Sequence, residues 1–230
     1  MATLVEQASC VDAWRAACQH VVGKSGHDSN LIVVISDPQQ FDSQWLQRFN
    51  PAAVRHGADR IRDVINTIFP QKTLRNSANR RDFYLRYERA HSRSRQKRWG
   101  TYFLRMINFG VTRENQLENI IDALTRWKNN PQAALTIHLS SPETDSLRPL
   151  GAPCLHFAEL LCPTKDTLEL VAVYRNHDYF NKVLGNFIGL SRLLAFVAAE
   201  TGRRPTRIVC HSVRAYFEAS KQDMLALLAR

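Results

Sequence analysis

Two apolar segments with strand composition flank a long apolar helix in residues 168–216, LELVAVYRNHDYFNKVLGNFIGLSRLLAFVAAETGRRPTRIVCHSVRAY. β-Branched and apolar residues predict strands over residues 168–174 and 207–213. The helix is predicted over residues 187–200, since Thr201-Gly202 follows it as an end signal. This stretch therefore predicts a sheet with a helix packed against it.

The rest of the chain is also predicted to contain both strands and helices. Further strands are predicted over residues 31–35, 101–109, 134–139 and 153–161. Further helices are predicted over residues 5–22, 41–49, 59–69, 73–93, 114–128 and 220–229. Because helices and strands are mixed and no repeat or linker is evident, we predict that residues 1–230 form a single α+β domain. Its mixed sheet is mostly buried, with flanking helices.

Composition narrows the class of protein. The 230 residues are 44% hydrophobic and 23% charged, which excludes collagen-like and wholly disordered chains. The apolar runs at 31–35 and 193–199 are far shorter than the ~20 residues of a membrane helix. Glu6 and Asp12 lie where a secretory signal would have its apolar core. These features predict a soluble, cytoplasmic protein with no membrane partner.

The cysteines give no sign of a metal or disulfide framework. There are five, an odd number, and they are widely spaced without a Cys-x-x-Cys pair. We therefore expect no bound metal. The histidines that lie in or beside strands also lack metal-ligand spacing and are interpreted as structural: His138, His156, His177 and His211.

Positive charge is concentrated in residues 75–98. The chain has a formal net charge of +10. This segment contains Asp82 and Glu88 but nine basic residues: Arg75, Arg80, Arg81, Arg86, Arg89, Arg93, Arg95, Lys97 and Arg98. Arginines interleaved with aromatic residues suit single-stranded nucleic-acid binding, although such a run is more often a solvated helix face.

One cysteine is a candidate nucleophile. Cys154 follows Ala152-Pro153 at the start of a predicted strand, where a thiolate could be exposed, although a lone cysteine is more often a core residue. Polar residues 175–178 crowd the end of a later strand, and Asn186 precedes the apolar helix. Separately, these features suit a turn and a helix cap; together they indicate a site.

Together these segments resemble the thymidylate synthase and pyrimidine nucleotide hydroxymethylase family. That family carries a Pro-Cys nucleophile, an Arg-Ser-x-Asp segment, an Asn at a helix start and a strand ending in His-x-Tyr. The matching positions here are Pro153-Cys154, Arg175-Asn176-His177-Asp178, Asn186 and Arg214-Ala215-Tyr216. The resemblance is close over residues 114–228 and faint over residues 1–113.

The resemblance implies a thymidylate synthase-like fold, a homodimer packed through a sheet face and 5,10-methylenetetrahydrofolate as cofactor. It implies that Cys154 attacks carbon 6 of a pyrimidine, so that carbon 5 can accept a methyl or hydroxymethyl group. By the same resemblance Arg175 activates the cysteine and contacts phosphate, and Asn186 reads the base edge. Tyr216 would contact the ribose and Asp178 the folate.

The sequence departs from the family at its phosphate-binding positions. Residues 25–29 lack the arginine of the family's phosphate loop, and the paired arginines donated across the dimer fall at Ala134-Leu135. Each lost charge-assisted contact would remove ~1.5–3 kcal/mol. Ordinary binding of a nucleoside monophosphate in the family's pose is therefore not expected.

Other departures concern catalysis and the end of the chain. Thr67 aligns with the family's proton-relaying Glu, Arg214 with the His of His-x-Tyr, and Lys182 with a Gly. The sequence is expected to be a C-terminally short member, since it stops at Arg230 where the family continues with a flexible tail.

These departures leave two interpretations open. In the first, Lys182 and Arg214 rebuild an anion site around a different nucleotide or nucleotide-like substrate, and the protein is a one-carbon transferase. In the second, the catalytic cycle is lost and the protein is a nucleotide-binding or sensing module, alone or within a larger complex.

Overall fold

The computed structural model describes residues 2–40, 43–91, 99–127, 133–145 and 151–229. These residues form six strands: β1 Thr3–Gln7, β2 His27–Ile35, β3 Leu135–His138, β4 Leu155–Leu161, β5 Thr167–Asp178 and β6 Arg204–Tyr216. They also form nine helices: α1 Cys10–Gly23, α2 Ser43–Arg55, α3 Ile61–Ile68, α4 Gln71–Arg75, α5 Arg80–His91, α6 Tyr102–Ile107, α7 Gln116–Arg126, α8 Val183–Glu200 and α9 Lys221–Leu228.

The six strands make one mixed sheet in the order β1-β2-β6-β5-β4-β3. β1 pairs with β2, and β5 with β6, in parallel; the other neighbours are antiparallel. Helices α1 and α8 pack on one face of the sheet. The predicted α+β architecture, with a mixed sheet flanked by helices, is confirmed.

Helix α8 is the centre of the core. Of the described helices it is long and apolar enough to cross a membrane, but 78% of it is buried inside the protein. Two glycines let it approach α3 closely. A Cβ atom at Gly185 would lie 2.6 Å from the Val64 Cβ, and one at Gly189 would lie 2.9 Å from the Ile68 Cβ. These contacts fix α3 against α8.

The strand predicted over residues 101–109 is wrong. Residues 102–107 form helix α6, because the Thr101 hydroxyl accepts a hydrogen bond from the Leu104 N–H as an N-cap. Tyr102, Phe103 and Met106 are buried on this helix. In a segment this short, buried residues at helical spacing are easily mistaken for strand alternation.

Two predicted helices have different bounds. The helix predicted over residues 5–22 begins only at Cys10, where Ser9 caps it, and residues 3–7 form β1 instead. The helix predicted over residues 73–93 is broken between Arg75 and Arg80. The Asn79 side chain accepts from the Asp82 N–H and so starts a new helix. Residues 92–98, the rest of the basic segment, lie outside the described residues.

Candidate active site

A cavity of about 980 Å³ opens where β4 begins and where β5 and β6 end. Helices α3, α5, α6 and α8 complete its wall. Five of the seven candidate site residues line this cavity: Cys154, Asp178, Lys182, Asn186 and Tyr216. The other two, Arg175 and Arg214, are not among the lining residues. Residues that are far apart in the sequence motif thus meet at one cavity.

Cys154 is half-buried and held by its backbone. The N–H groups of Cys154 and Leu155 donate to the Tyr102 hydroxyl oxygen at 3.2 and 3.3 Å. Burial, and then the Cys154 thiol, raise the pKa of Tyr102, so this hydroxyl stays protonated. Sequence reasoning missed Tyr102 because residues 101–109 were interpreted as a strand. The signal was Thr101, a helix N-cap directly before it.

Arg175 forms hydrogen bonds to the loop that precedes Cys154. Its Nε donates to the Pro153 carbonyl at 3.1 Å and its Nη2 to the Ala152 carbonyl at 3.4 Å. Arg175 also lowers the pKa of His156, after the larger effect of burial. The guanidinium is therefore anchored beside the loop that leads into Cys154, and its phosphate contact stays a prediction.

Asn186, Tyr174 and His177 are buried residues that line the cavity. Asn186 is only 4% exposed, and its Nδ2 lies 3.0 Å from His177 Nε2. The Tyr174 and His177 rings stack at a centroid distance of 3.8 Å. His177, interpreted from sequence as structural, is thus part of the cavity wall as well.

Asp178 and Lys182 already have protein partners at the cavity rim. Asp178 Oδ1 accepts from the Phe180 and Asn181 N–H groups, and its Oδ2 accepts from Asn181 Nδ2 at 2.6 Å. The Lys182 ammonium forms an ion pair with Asp59. Both side chains are therefore already engaged by groups of the protein itself.

Arg214 lies in a neighbouring recess of about 640 Å³. Its guanidinium lies over the Tyr216 ring, 4.4 Å from the centroid. Tyr216 and Glu218 line both hollows, so the recess and the cavity share a wall. Burial raises the pKa of Tyr216 to about 12, which keeps its hydroxyl protonated. The recess also includes residues 25–27 and Lys221.

Thr67 lines the cavity and donates its hydroxyl to the Val64 carbonyl. One turn earlier on the same helix, Asp63 also lines the cavity and supplies a carboxylate to this wall. In the part of the chain that the structure describes, no group of three or more His, Cys, Asp or Glu side chains could hold a metal ion.

A basic groove of about 580 Å³ adjoins the cavity. Lys72, Arg86 and Arg89 line it, and no Asp or Glu is among the described residues on its wall. Tyr87 and His91, stacked at 3.9 Å, line both the groove and the cavity. The described part of the basic segment, residues 75–91, therefore borders the candidate site.

The sheet and its flanking helices are consistent with a thymidylate synthase-like fold. No protein-family model matches the chain. A curated protein of Methanococcoides burtonii named "Putative thymidylate synthase" is 29% identical over 116 residues, which are 50% of this chain and 51% of that protein. The matched part spans about half the length of this relative. The similarity supports a thymidylate synthase-like relationship and hints at a transferase.

Proposed function

We propose that the protein is a thymidylate synthase-like transferase that adds a one-carbon group, methyl or hydroxymethyl, to C5 of a pyrimidine nucleotide or nucleotide-like substrate. The supporting observation is the cavity that gathers the Cys154 thiol, the Asn186 carboxamide and the Tyr216 phenol. On this proposal residues 1–230 act as one domain.

Cys154 is the nucleophile of this reaction. Its thiolate adds to C6 of the base, and the electron pair of the C5–C6 double bond moves toward O4, which makes C5 nucleophilic. After C5 gains the one-carbon group and loses its proton, the double bond re-forms and expels the thiolate. The two hydrogen bonds from Cys154 and Leu155 to Tyr102 hold the nucleophile in place.

The phosphate of the substrate binds in the recess beside Tyr216. Arg214, Lys221 and His27 line this recess, whereas the cavity itself contains Lys182 paired with Asp59. The pyrimidine enters the cavity, and the Tyr216 hydroxyl contacts the sugar between the two hollows. This arrangement revises the expectation that Lys182 and Arg214 share one anion site.

Asp178 fits a folate contact. Each carboxylate oxygen has two lone pairs, and Oδ2 accepts from Asn181 Nδ2, which leaves an acceptor for a donor N–H of a pterin ring. When bound, 5,10-methylenetetrahydrofolate would supply the one-carbon unit; a hydroxymethyl product then needs water, and a methyl product needs a hydride, which the resulting tetrahydrofolate would donate. Asp178 would hold its ring system at the cavity rim.

The test is release of tritium from C5-labelled uridine and cytidine nucleotides in the presence of 5,10-methylenetetrahydrofolate. We expect release by the wild type and none by Cys154→Ala. Cys162→Ala is the matched control, because Cys162 is buried at 3% exposure and does not line the cavity. No release by the wild type with any of these nucleotides contradicts the transferase proposal.

The second interpretation, a nucleotide-binding or sensing module, then makes a different prediction. Pyrimidine nucleotides would raise the melting temperature of the protein, folate would not, and Cys154→Ala would bind as tightly as the wild type. Stabilisation by both ligands supports the transferase.

The basic groove supports a second candidate function, binding of single-stranded nucleic acid. It combines Lys72, Arg86 and Arg89 with the partly exposed His91 ring, which stacks on the buried Tyr87, and cations beside an aromatic ring suit a phosphate backbone and its bases. Arg86→Gln/Arg89→Gln is expected to weaken binding of a labelled oligonucleotide, measured by fluorescence anisotropy. Arg48→Gln/Arg55→Gln, exposed on α2, controls for net charge. If both double variants weaken oligonucleotide binding equally, the groove is not the nucleic-acid binding site.

A further inference from the structure

Asn186 is the first of four buried polar side chains linked by hydrogen bonds. Its Nδ2 lies 3.0 Å from His177 Nε2, and His177 Nδ1 lies 2.9 Å from Ser212 Oγ. Ser212 Oγ in turn lies 3.0 Å from the Tyr179 hydroxyl. Ser212 and Tyr179 are fully buried, and His177 is 1% exposed. The series runs from the cavity into the core.

The direction of these bonds follows from the chemistry of each group. An amide nitrogen only donates, so His177 Nε2 must accept from Asn186. Burial lowers the pKa of His177 to about 3, so the ring is neutral and carries one proton. That proton must be on Nδ1, which donates to Ser212. A neutral His177 of this tautomer cannot bond the amide oxygen of Asn186.

The His177 ring has little freedom to turn. It stacks on Tyr174 at an interplanar angle of 4°. The Phe187 ring contacts it edge-on, with the two ring centroids 6.1 Å apart. Both Tyr174 and Phe187 are fully buried. The ring nitrogens therefore keep their positions, and with the proton on Nδ1 the Asn186 amide keeps its nitrogen toward His177.

We propose that His177 is a positioning residue that fixes the polarity of the Asn186 carboxamide, so that the site reads one pyrimidine edge and rejects the other. This proposal rests on the proposed function of the cavity. Uracil presents an acceptor at O4 and a donor at N3, whereas cytosine presents a donor at N4 and an acceptor at N3. An amide with fixed polarity matches one of these edges only, and an amide that can flip matches both.

The binding test compares uridine and cytidine 5′-monophosphates by isothermal titration calorimetry. The wild-type dissociation constants are expected to differ at least about tenfold, since the wrong base leaves buried polar groups unpaired. His177→Phe keeps the stacked ring but lacks both nitrogens, and its ratio is expected to fall toward one. Tyr179→Phe removes a hydroxyl equally deep in the core but spares both His177 bonds, so its ratio should stay at the wild-type value.

Nitrogen-15 NMR of the ligand-free wild type tests the bond itself. We expect a neutral His177 with its proton on Nδ1. A proton on Nε2, or equal ratios in the wild type and His177→Phe, overturns the proposal. If neither nucleotide binds but the Nδ1 tautomer is observed, the pyrimidine function fails while the fixed amide stands. If Tyr179→Phe lowers the ratio of dissociation constants as much as His177→Phe does, the effect comes from general loosening of the core. That result also overturns the proposal.

Discussion

Tyr174 has a buried hydroxyl with no hydrogen-bond partner among the described residues. The residue lines the cavity, and the Cys154 thiol is among the groups that raise its pKa after burial. An unsatisfied buried polar group costs about 1–3 kcal/mol. Such a cost at a cavity wall is accounted for if the hydroxyl bonds a ligand.

We therefore expect Tyr174→Phe to leave the free energy of unfolding unchanged or to raise it by up to about 2 kcal/mol. The same variant should bind pyrimidine nucleotides less tightly, because the ligand loses a partner. Urea unfolding and calorimetric titration measure the two effects. A stability loss together with unchanged affinity would give Tyr174 a purely structural role.

The buried His177 also predicts a pH dependence of stability. Its pKa is about 3 in the folded protein, by burial, and about 6.5 in an unfolded chain. Between these values the unfolded state binds a proton that the folded state does not. Unfolding free energy should therefore fall as pH drops from about 6.5 toward 3, by up to about 1.4 kcal/mol per pH unit.

His177→Phe removes this contribution, so its stability should fall less steeply over that range. Urea unfolding at several pH values between 7.5 and 4.5 measures both slopes, and acid groups elsewhere affect both proteins alike. Parallel slopes would show that His177 is protonated in the folded state.

Motif order in the sequence was sufficient to predict several residues that meet at the cavity. Cys154, Asn186 and Tyr216 were predicted as site residues and all line the cavity. The direction of the Arg175 guanidinium could not be predicted from sequence. It is set by hydrogen bonds to loop carbonyl groups, which residue spacing does not reveal. Tyr102 was missed for a similar reason, since its bond to Cys154 spans 52 residues of chain.

At the scale of elements, the packing of α8 on α3 depends on Gly185. A methyl group there would meet the Val64 side chain at 2.6 Å and the Ile61 carbonyl at 3.2 Å. Helix α3 carries Asp63 and Thr67 on the cavity wall, so a shift of this helix also reshapes the site.

Gly185→Ala is expected to destabilise the protein by about 1–3 kcal/mol, because overpacking outweighs a gain in helix propensity of about 1 kcal/mol. Gly23→Ala is the control. Gly23 ends α1 and has nothing within 4 Å of a Cβ atom, so the change should be neutral or slightly stabilising. Denaturant unfolding measures the free energy of unfolding of both variants. Equal effects of the two substitutions would mean that a methyl group at Gly185 causes no destabilising contact with α3.

Elements with long apolar periodicity were predictable, and short ones were not. Helix α8 was predicted because its apolar run and its end signal agree. Helix α6 has six residues, and its buried Arg105 obscured the pattern; that side chain is satisfied by a bidentate bond to Asp145 at 2.6 and 2.7 Å. Such a partner, 40 residues away, is set by tertiary structure.

At the scale of the whole molecule, the sheet has two unlike faces. Helices α1 and α8 cover one face, and the described residues include no helix packed across the centre of the other. Half-buried apolar side chains are aligned there. Val34, Val209 and Val171 occupy one row across three neighbouring strands. An apolar sheet face of this kind is typical of an interface.

We predict that the homodimer implied by the resemblance packs through this face, and Val209→Asp tests this prediction. In a dimer the carboxylate would be buried without a partner, so the variant should be monomeric. Light scattering should give the wild type twice the mass of a single chain, and circular dichroism should show that the variant remains folded. Val111→Asp is the control, because Val111 is 82% exposed on a turn elsewhere. If the wild type is a monomer and the Val209→Asp variant is equally stable, this face is open to water and the cavity functions within one chain.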